Sequence, residues 1–364
     1  MKDREAVMVV AGGTGGHVFP ALAVARELDA RGFLPVWMGT HAGLEAKVVP
    51  EAGVDIEWIN ISGVRGKGIT SLLIAPVRIV RAIWQAAAII RRRKPIFMIG
   101  MGGFVAGPGG VAAWLTHCPL FVHEQNAVAG VTNRVLARFA RCVMTAFPDS
   151  FGSRKNTLLT GNPLREEFMD ITPPALRTHK TEEILRILVL GGSQGARVLN
   201  EVVPTAVNAL AAHIEVQVRH QCGAAHAETA RDIYAGSRVR AEVVPFMDHV
   251  AEELAYTDIV ICRAGAMTVA EISAVGVAAI FVPFPHAVDD HQTRNAEYLF
   301  GAGAARVIPE TELTAERLTR EITELGNDPD LRLRMAEAVR AMGHPDATVS
   351  VVNECLRAIG RLKS

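Results

Sequence analysis

The chain has 364 residues, 49% of them hydrophobic and 21% charged, with equal numbers of basic and acidic side chains. This length points to about two domains with a sizeable core, while formal neutrality and only 5% aromatics exclude a general nucleic-acid binder. The charge is unevenly divided: residues 1–160 hold 18 Lys and Arg against 10 Asp and Glu, the remainder 20 against 28, so the first half is the one expected to face something anionic.

The opening stretch MKDREAVMVV lacks the apolar run of a signal peptide, and no run of ~18 apolar residues occurs, so neither a leader nor a spanning helix is expected. The cysteines (Cys118, Cys142, Cys222, Cys262 and Cys355) are odd in number and form no CxxC pair; packed, reduced thiols of a cytosolic protein are the expectation.

Short, nearly continuous apolar runs alternate with helical patterns. In chain order they read AVMVVA, LPVWMGT, VDIEWINI, IFMIGM, PLFVHEQ and RCVMTAF, then RILVLGG, IEVQVRHQ, AEVVPF, DIVICRAG, AAIFVPF and AARVIP. Such runs suit strands buried on both faces of a parallel sheet, and the alternation predicts a doubly wound α/β fold. VMVVAGGTGGHVFPALAVAREL and ILVLGGSQGARVLNEVVPTAVNAL share one layout of strand, Gly-rich turn and helix. This weak repeat predicts two Rossmann-like domains, 1–162 and 163–345, divided in the Pro-rich polar stretch TGNPLREEFMDITPPALRTHK. For the last helix, within 346–364, pattern alone leaves open whether it packs on the second domain or returns to the first.

Three Gly-rich turns follow strands: GGTGGH (12–17), GMGGFVAGPGG (100–110) and GGSQGA (191–196). A strand-to-helix turn of this kind presents free N–H groups at a helix N-terminus, where phosphate is favoured. The P-loop pattern fails, because GGTGGHVF lacks GK[ST] and the Lys of GVRGKGIT is followed by Gly. The NAD fingerprint fails as well, since no acid ends the second strand at VWMGTHAG.

Other strand ends are dense in polar groups. FVHEQNAVAG ends a strand in His123, Glu124, Gln125 and Asn126, suited either to chemistry or to loop capping. CRAGAMTVAEISAVG opens a helix with Ala266, Met267 and Thr268 in its first turn and Glu271 one turn on; that carboxylate can accept from a ribose diol or merely complement the helix dipole. In VPFPHAVDDHQTRNAEYL, Asp289 or Asp290 is placed to cap a helix. The stretch 71–95, SLLIAPVRIVRAIWQAAAIIRRRKP, reads either as a basic amphipathic helix for an anionic surface or as a buried helix with cations in its last turn.

Taken in order, GGTGGHVFPALA, GMGGFVAGPGG, HEQNAVAGVTNR, GNPLREE, GGSQGARVLN, CRAGAMTVAEI and PFPHAVDDHQTRNA closely resemble the undecaprenyldiphospho-muramoylpentapeptide β-N-acetylglucosaminyltransferase (MurG) family, over essentially the whole chain. The resemblance implies the glycosyltransferase B fold, with a cleft between two Rossmann-like domains. It implies inverting transfer of GlcNAc from UDP-GlcNAc to O4 of the MurNAc of lipid I, giving lipid II and UDP. It also implies a peripheral protein of the cytoplasmic membrane face, with partners among cell-wall synthesis proteins. No DxD or His/Asp ligand cluster is evident, so neither a metal site nor a cofactor is expected.

Carried over residue by residue, the resemblance sets Thr14, Gly15 and Gly16 against the donor, with His17 as general base and Glu124 as the alternative base. It sets Asn126, Arg165 and Ser193 on the donor, Ser193 on its diphosphate, and a backbone group of Met247 on uracil. Ala266, Met267, Thr268, Val269, Ala270 and Glu271 match the nucleotide-binding helix start, with Glu271 on the ribose, and Gln292 matches a sugar contact. Phe104 and His291 depart from some members, which carry Tyr and Gln there. Arg65 and Lys67 of SGVRGKG are expected to meet the acceptor diphosphate. A UDP-sugar 2-epimerase and a non-catalytic nucleotide-sugar-binding protein at the membrane are the rival readings.

Overall fold

The computed structural model describes residues 4–62, 69–152, 154, 157–177, 184–192, 195–287 and 290–362, with residues 69–73 described by their helical backbone alone. Arg65, Lys67, Ser193 and Asp289 lie outside the described residues. The chain divides into two compact units, Met1–Glu166 with Pro345–Ser364, and Glu167–His344.

The first unit runs β1 (Ala6–Val10), α1 (Gly15–Ala30), β2 (Leu34–Gly39), α2 (Glu45–Glu51), β3 (Asp55–Trp58), α3 (Ile69–Arg93), β4 (Met98–Gly100), α4 (Ala106–Leu115), β5 (Leu120–Glu124), α5 (Val131–Leu136), β6 (Cys142–Thr145) and β7 (Thr157–Leu159). Its strands are parallel, in the order β3-β2-β1-β4-β5-β6-β7. β1, β2, β4 and β5 are buried on both faces almost throughout, which is why they read as continuous apolar runs rather than alternating ones. The edge strand β7 is the one the sequence pattern does not give: three residues, two of them exposed, offer no periodicity to read.

The second unit runs β8 (Leu185–Leu190), α6 (Arg197–Leu210), β9 (Val216–Gln221), α7 (Ala227–Ala235), β10 (Arg240–Val244), α8 (Val250–Tyr256), β11 (Ile259–Cys262), α9 (Ala266–Val275), β12 (Ala278–Phe281), α10 (His291–Gly301), β13 (Ala305–Val307), α11 (Ala315–Asn327) and α12 (Pro329–Ala341). Its sheet is again parallel, ordered β10-β9-β8-β11-β12-β13. The last helix, α13 (Ala347–Ala358), belongs to the first unit. Its Val351, Val352, Cys355 and Leu356 recur on one helical face and join Val18, Ala21, Leu22, Ala25 and Leu28 of α1 in one core. All five cysteines are unpaired thiols.

In both sheets the strand order reverses direction once, between β1 and β4 and between β8 and β11. Open α/β sheets bind ligands beyond the carboxyl ends of the strands at such a switch point. At the first switch point the floor is backbone. Gly103 has φ +80°, and a Cβ there would fall 2.1 Å from the Gly12 carbonyl oxygen. The Gly103→Ala variant therefore combines left-handed strain with a backbone clash. Its expected cost is more than about 2 kcal/mol, read as a lowered urea midpoint with unchanged m; a midpoint equal to wild type would show that the turns need not touch.

Candidate active site

The first Gly-rich turn is held from below by Glu45, which the sequence reading missed. This fully buried carboxylate accepts from the Gly13 N–H (3.0 Å) and from the N–H (3.0 Å) and hydroxyl (2.8 Å) of Thr40. These three donors satisfy a carboxylate that would otherwise be costly to bury. Thr14 then starts α1 in an extended conformation without a side-chain cap. The helix therefore begins with Gly15 and Gly16 presenting first-turn N–H groups that the helix itself cannot satisfy.

His17 lies in that first turn. Its Nδ1 is 3.0 Å from Gln125 Oε1, and Gly102, at φ +95°, sits so close that a Cβ would fall 2.4 Å from the same nitrogen. Gln125 Nε2 is 3.2 Å from His123 Nδ1, and His123 Nε2 is 2.9 Å from the Gly161 carbonyl oxygen. His123 is fully buried at the end of β5, and burial lowers its pKa to about 4, against the smaller opposing effects of the Gly161 carbonyl and the Glu124 charge.

Glu124 points into its own loop. Oε1 accepts from the Asn126 N–H (3.0 Å) and Nδ2 (3.3 Å); Oε2 accepts from the Gly130 N–H (3.0 Å) and Asn133 Nδ2 (2.9 Å). Four donors meet a carboxylate with about four acceptor sites. Asn126 is half-buried beside it. Asn133, on α5, also donates to the His123 carbonyl (3.2 Å), and Asn162 Nδ2 donates to that of Gln125 (3.0 Å). Arg165, a little further along this unit, is half-buried.

In the second unit the turn after β8 closes on β9. A Cβ on Gly195 would fall 2.0 Å from the Cys222 carbonyl oxygen. That same oxygen accepts from Asn200 Nδ2 (3.0 Å), whose Oδ1 meets His220 Nε2 (3.0 Å), while His220 Nδ1 meets the Tyr234 hydroxyl (3.0 Å). Burial lowers the His220 pKa to about 4.

Gly265 caps α9 in extended conformation, and Ala266, Met267 and Thr268 form its first turn with Glu271 half-buried beyond. The far end of α9 carries two guanidiniums. Arg177 donates to the Gly276 (2.9 Å) and Val275 carbonyls, and Arg340 to those of Ala274 (3.2 Å) and Val275 (3.1 Å), where cations complement the helix dipole. Arg263, at the end of β11, pairs with Glu310 (2.5 Å) and donates to the carbonyls of Val282 (3.1 Å) and Pro283 (3.3 Å). It thereby holds the loop whose Phe284 N–H donates to Gln292 Oε1 (3.0 Å). Asp290 precedes α10 at φ +52° and accepts from the Thr293 hydroxyl (2.6 Å) rather than from a backbone N–H. Met247 is buried in this unit. Among the described residues, no group of three or more His, Cys, Asp and Glu side chains is gathered as a metal ion would require.

The two buried histidines make stability pH-dependent. The unfolded chain takes up their protons near pH 6.5 and the native state only near 4. Between those values the unfolded state binds more protons, so stability falls as pH falls. The urea midpoint is expected to drop between pH 6.5 and 4, and His220→Gln to flatten that slope; an unchanged slope in the variant would mean that His220 protonates without unfolding.

Two family models match the chain, the glycosyltransferase family 28 N-terminal domain over residues 7–145 and its C-terminal domain over residues 186–351. The UDP-N-acetylglucosamine–N-acetylmuramyl-(pentapeptide) pyrophosphoryl-undecaprenol N-acetylglucosamine transferase of Nitrosococcus oceani is 49% identical over 350 residues, covering 96% of this chain and 98% of that protein. The protein of the same name from Aeromonas hydrophila is 49% identical over 358 residues, covering 98% of each. The crystal structure of Acinetobacter baumannii MurG matches with a TM-score of 0.85 at 39% identity, over 97% of this chain and 99% of that one. The two parallel-sheet units are those of the glycosyltransferase B fold, and the chain belongs to the MurG family within glycosyltransferase family 28.

Proposed function

We propose that this chain is an inverting glycosyltransferase that moves GlcNAc from UDP-GlcNAc to O4 of MurNAc in lipid I, releasing UDP and lipid II. The observation that carries the reading is near-half identity, over nearly the full length, to relatives named for that transfer. The local chemistry supports it. The acceptor O4–H gives its proton to His17 Nε2 as O4 bonds to C1; the C1–O bond to the diphosphate breaks on the opposite face, and its electron pair leaves with UDP. First-turn N–H groups of α9 suit the growing charge on the diphosphate, and the family resemblance sets Ser193 on the same group. Glu271 suits the ribose diol, a backbone group of Met247 the uracil, and Gln292, its oxygen engaged, offers its NH₂ to the sugar. Thr14, Gly15, Gly16, Asn126 and Arg165 complete the proposed substrate contacts.

His17 is favoured as the base over Glu124 because both oxygens of Glu124 are already engaged by its own loop. In an assay with labelled UDP-GlcNAc and a soluble-tailed lipid I analogue, His17→Ala is expected to lower kcat by about 10² to 10⁴ with the donor KM little changed. Near-wild-type turnover would return the role to Glu124. Label released as a free UDP-sugar epimer, or bound without turnover, would favour the epimerase or the non-catalytic reading respectively.

Work on a lipid-linked acceptor calls for attachment to the cytoplasmic membrane face. Among the described residues no helix is long and apolar enough to cross a membrane. On α3, however, Ile74, Val77, Val80 and Trp84 are exposed at helical spacing, Val77 at 69% and Trp84 at 70%, beside exposed Arg78 and Arg81. At the helix end two of the four clustered cations are already engaged: Arg92 pairs with Glu57 (2.5 Å) and Arg93 with Asp55 and Glu57 (2.6 Å each). We therefore place the membrane contact on the middle of α3. A Val77→Asp/Trp84→Asp double variant is expected to lose about tenfold or more in co-sedimentation with phosphatidylglycerol vesicles while keeping turnover on the soluble-tailed acceptor. Undiminished sedimentation would move the contact elsewhere.

A further inference from the structure

The hydrogen bonds running from Gly161 to His17 have a direction. A backbone carbonyl only accepts, so the His123 nitrogen 2.9 Å from Gly161 O, Nε2, carries a proton. His123 is fully buried with no carboxylate hydrogen-bonded to its ring, which keeps it neutral. Its Nδ1 is then an acceptor and faces the NH₂ of Gln125 at 3.2 Å. That turns the Gln125 carbonyl toward His17 at 3.0 Å. An amide carbonyl also only accepts, so the His17 nitrogen facing it is the protonated one.

We propose that Gln125 and His123 are positioning residues for His17: they transmit the acceptor character of the Gly161 carbonyl along this chain, so that neutral His17 is held as the Nδ1–H tautomer with Nε2 unprotonated. The proposal rests on the reading of His17 as base and adds how its protonation site is set. The linkage uses neutral groups throughout, an amide and an imidazole where a carboxylate could have served. Gly102 reinforces it sterically, since its missing side chain is what leaves room for the ring in this orientation. When O4–H gives up its proton, Nε2 gains it, the Nδ1–H bond to Gln125 is kept, and no proton has to move along the chain.

The tautomer can be read without any substrate, from the two ring-nitrogen shifts of His17 in ¹⁵N-histidine-labelled full-length protein, assigned by their loss in His17→Asn. At a pH where His17 is neutral, wild type is expected to show Nδ1 protonated and Nε2 bare. Gln125→Leu removes the acceptor, so the proton is expected to move to Nε2 and kcat to fall by about tenfold or more, with the donor KM within about twofold. Gln125→Glu keeps an oxygen facing His17 and is expected to retain the Nδ1–H tautomer, with one proton taken up between its second oxygen and His123 Nδ1 in place of the lost amide donor. It separates loss of the acceptor from damage to the fold. An Nε2–H tautomer in wild type, or an unchanged Nδ1–H tautomer in Gln125→Leu, overturns the proposal. Failure of the base assignment shows separately, as full turnover in His17→Ala.

Discussion

The backbone approach of Gly103 to Gly12 is the constraint on which the first unit's site depends. Parallel strands that neighbour each other at a switch point send their loops apart, which ordinarily leaves a crevice. Here the turn after β4 folds back until its backbone touches the turn after β1. No side chain fits between them, so the floor is made of peptide groups whose polarity needs partners. Glu45 supplies them from beneath, and a Cβ on Gly12 would fall 2.7 Å from its Oε1. With the floor rigid, the first turn of α1 is fixed, and with it the ring of His17.

The second unit has a comparable backbone approach, made between the turns after β8 and β9 rather than at its β8/β11 switch point. Gly195 approaches the Cys222 carbonyl as Gly103 approaches that of Gly12. The bracing here is an amide, Asn200, backed by His220 and Tyr234, rather than a carboxylate. The difference agrees with the roles proposed. A turn meant to receive a diphosphate is better without a buried negative charge beneath it, since that charge would oppose the ligand's own. The first unit, which receives no phosphate in the same turn on this reading, tolerates Glu45.

The strands and the polar strand ends were legible in the sequence because they are local. Continuous β-branched runs mark strands covered on both faces, and glycines mark the turns. What holds those turns was not legible. Glu45 lies 32 residues from Gly13, and Gln125 lies 108 from His17; no periodicity or spacing connects such pairs. HEQN reads as four equivalent polar residues, yet the fold divides three of them between two tasks. His123 and Gln125 belong to the chain of hydrogen bonds that ends on His17, and Glu124 belongs to its own loop. That separation follows from strand alternation: residues 123 and 125 point one way and residue 124 the other.

The same locality divides the charge of α3. Its terminal cluster is the most conspicuous basic feature of the first 160 residues, but helix ends lie beside sheet edges, and β3 brings Asp55 and Glu57 within reach of two of its four cations, Arg92 and Arg93. A cation already matched by a carboxylate adds little attraction toward an anionic surface. Arg78 and Arg81 sit instead among exposed Val77, Val80 and Trp84, where apolar burial and charge attraction act at one place. An amphipathic helix that lies on a bilayer is oriented by that coincidence. On the proposed reading, the middle of α3 rather than its end therefore sets how the first unit meets the membrane.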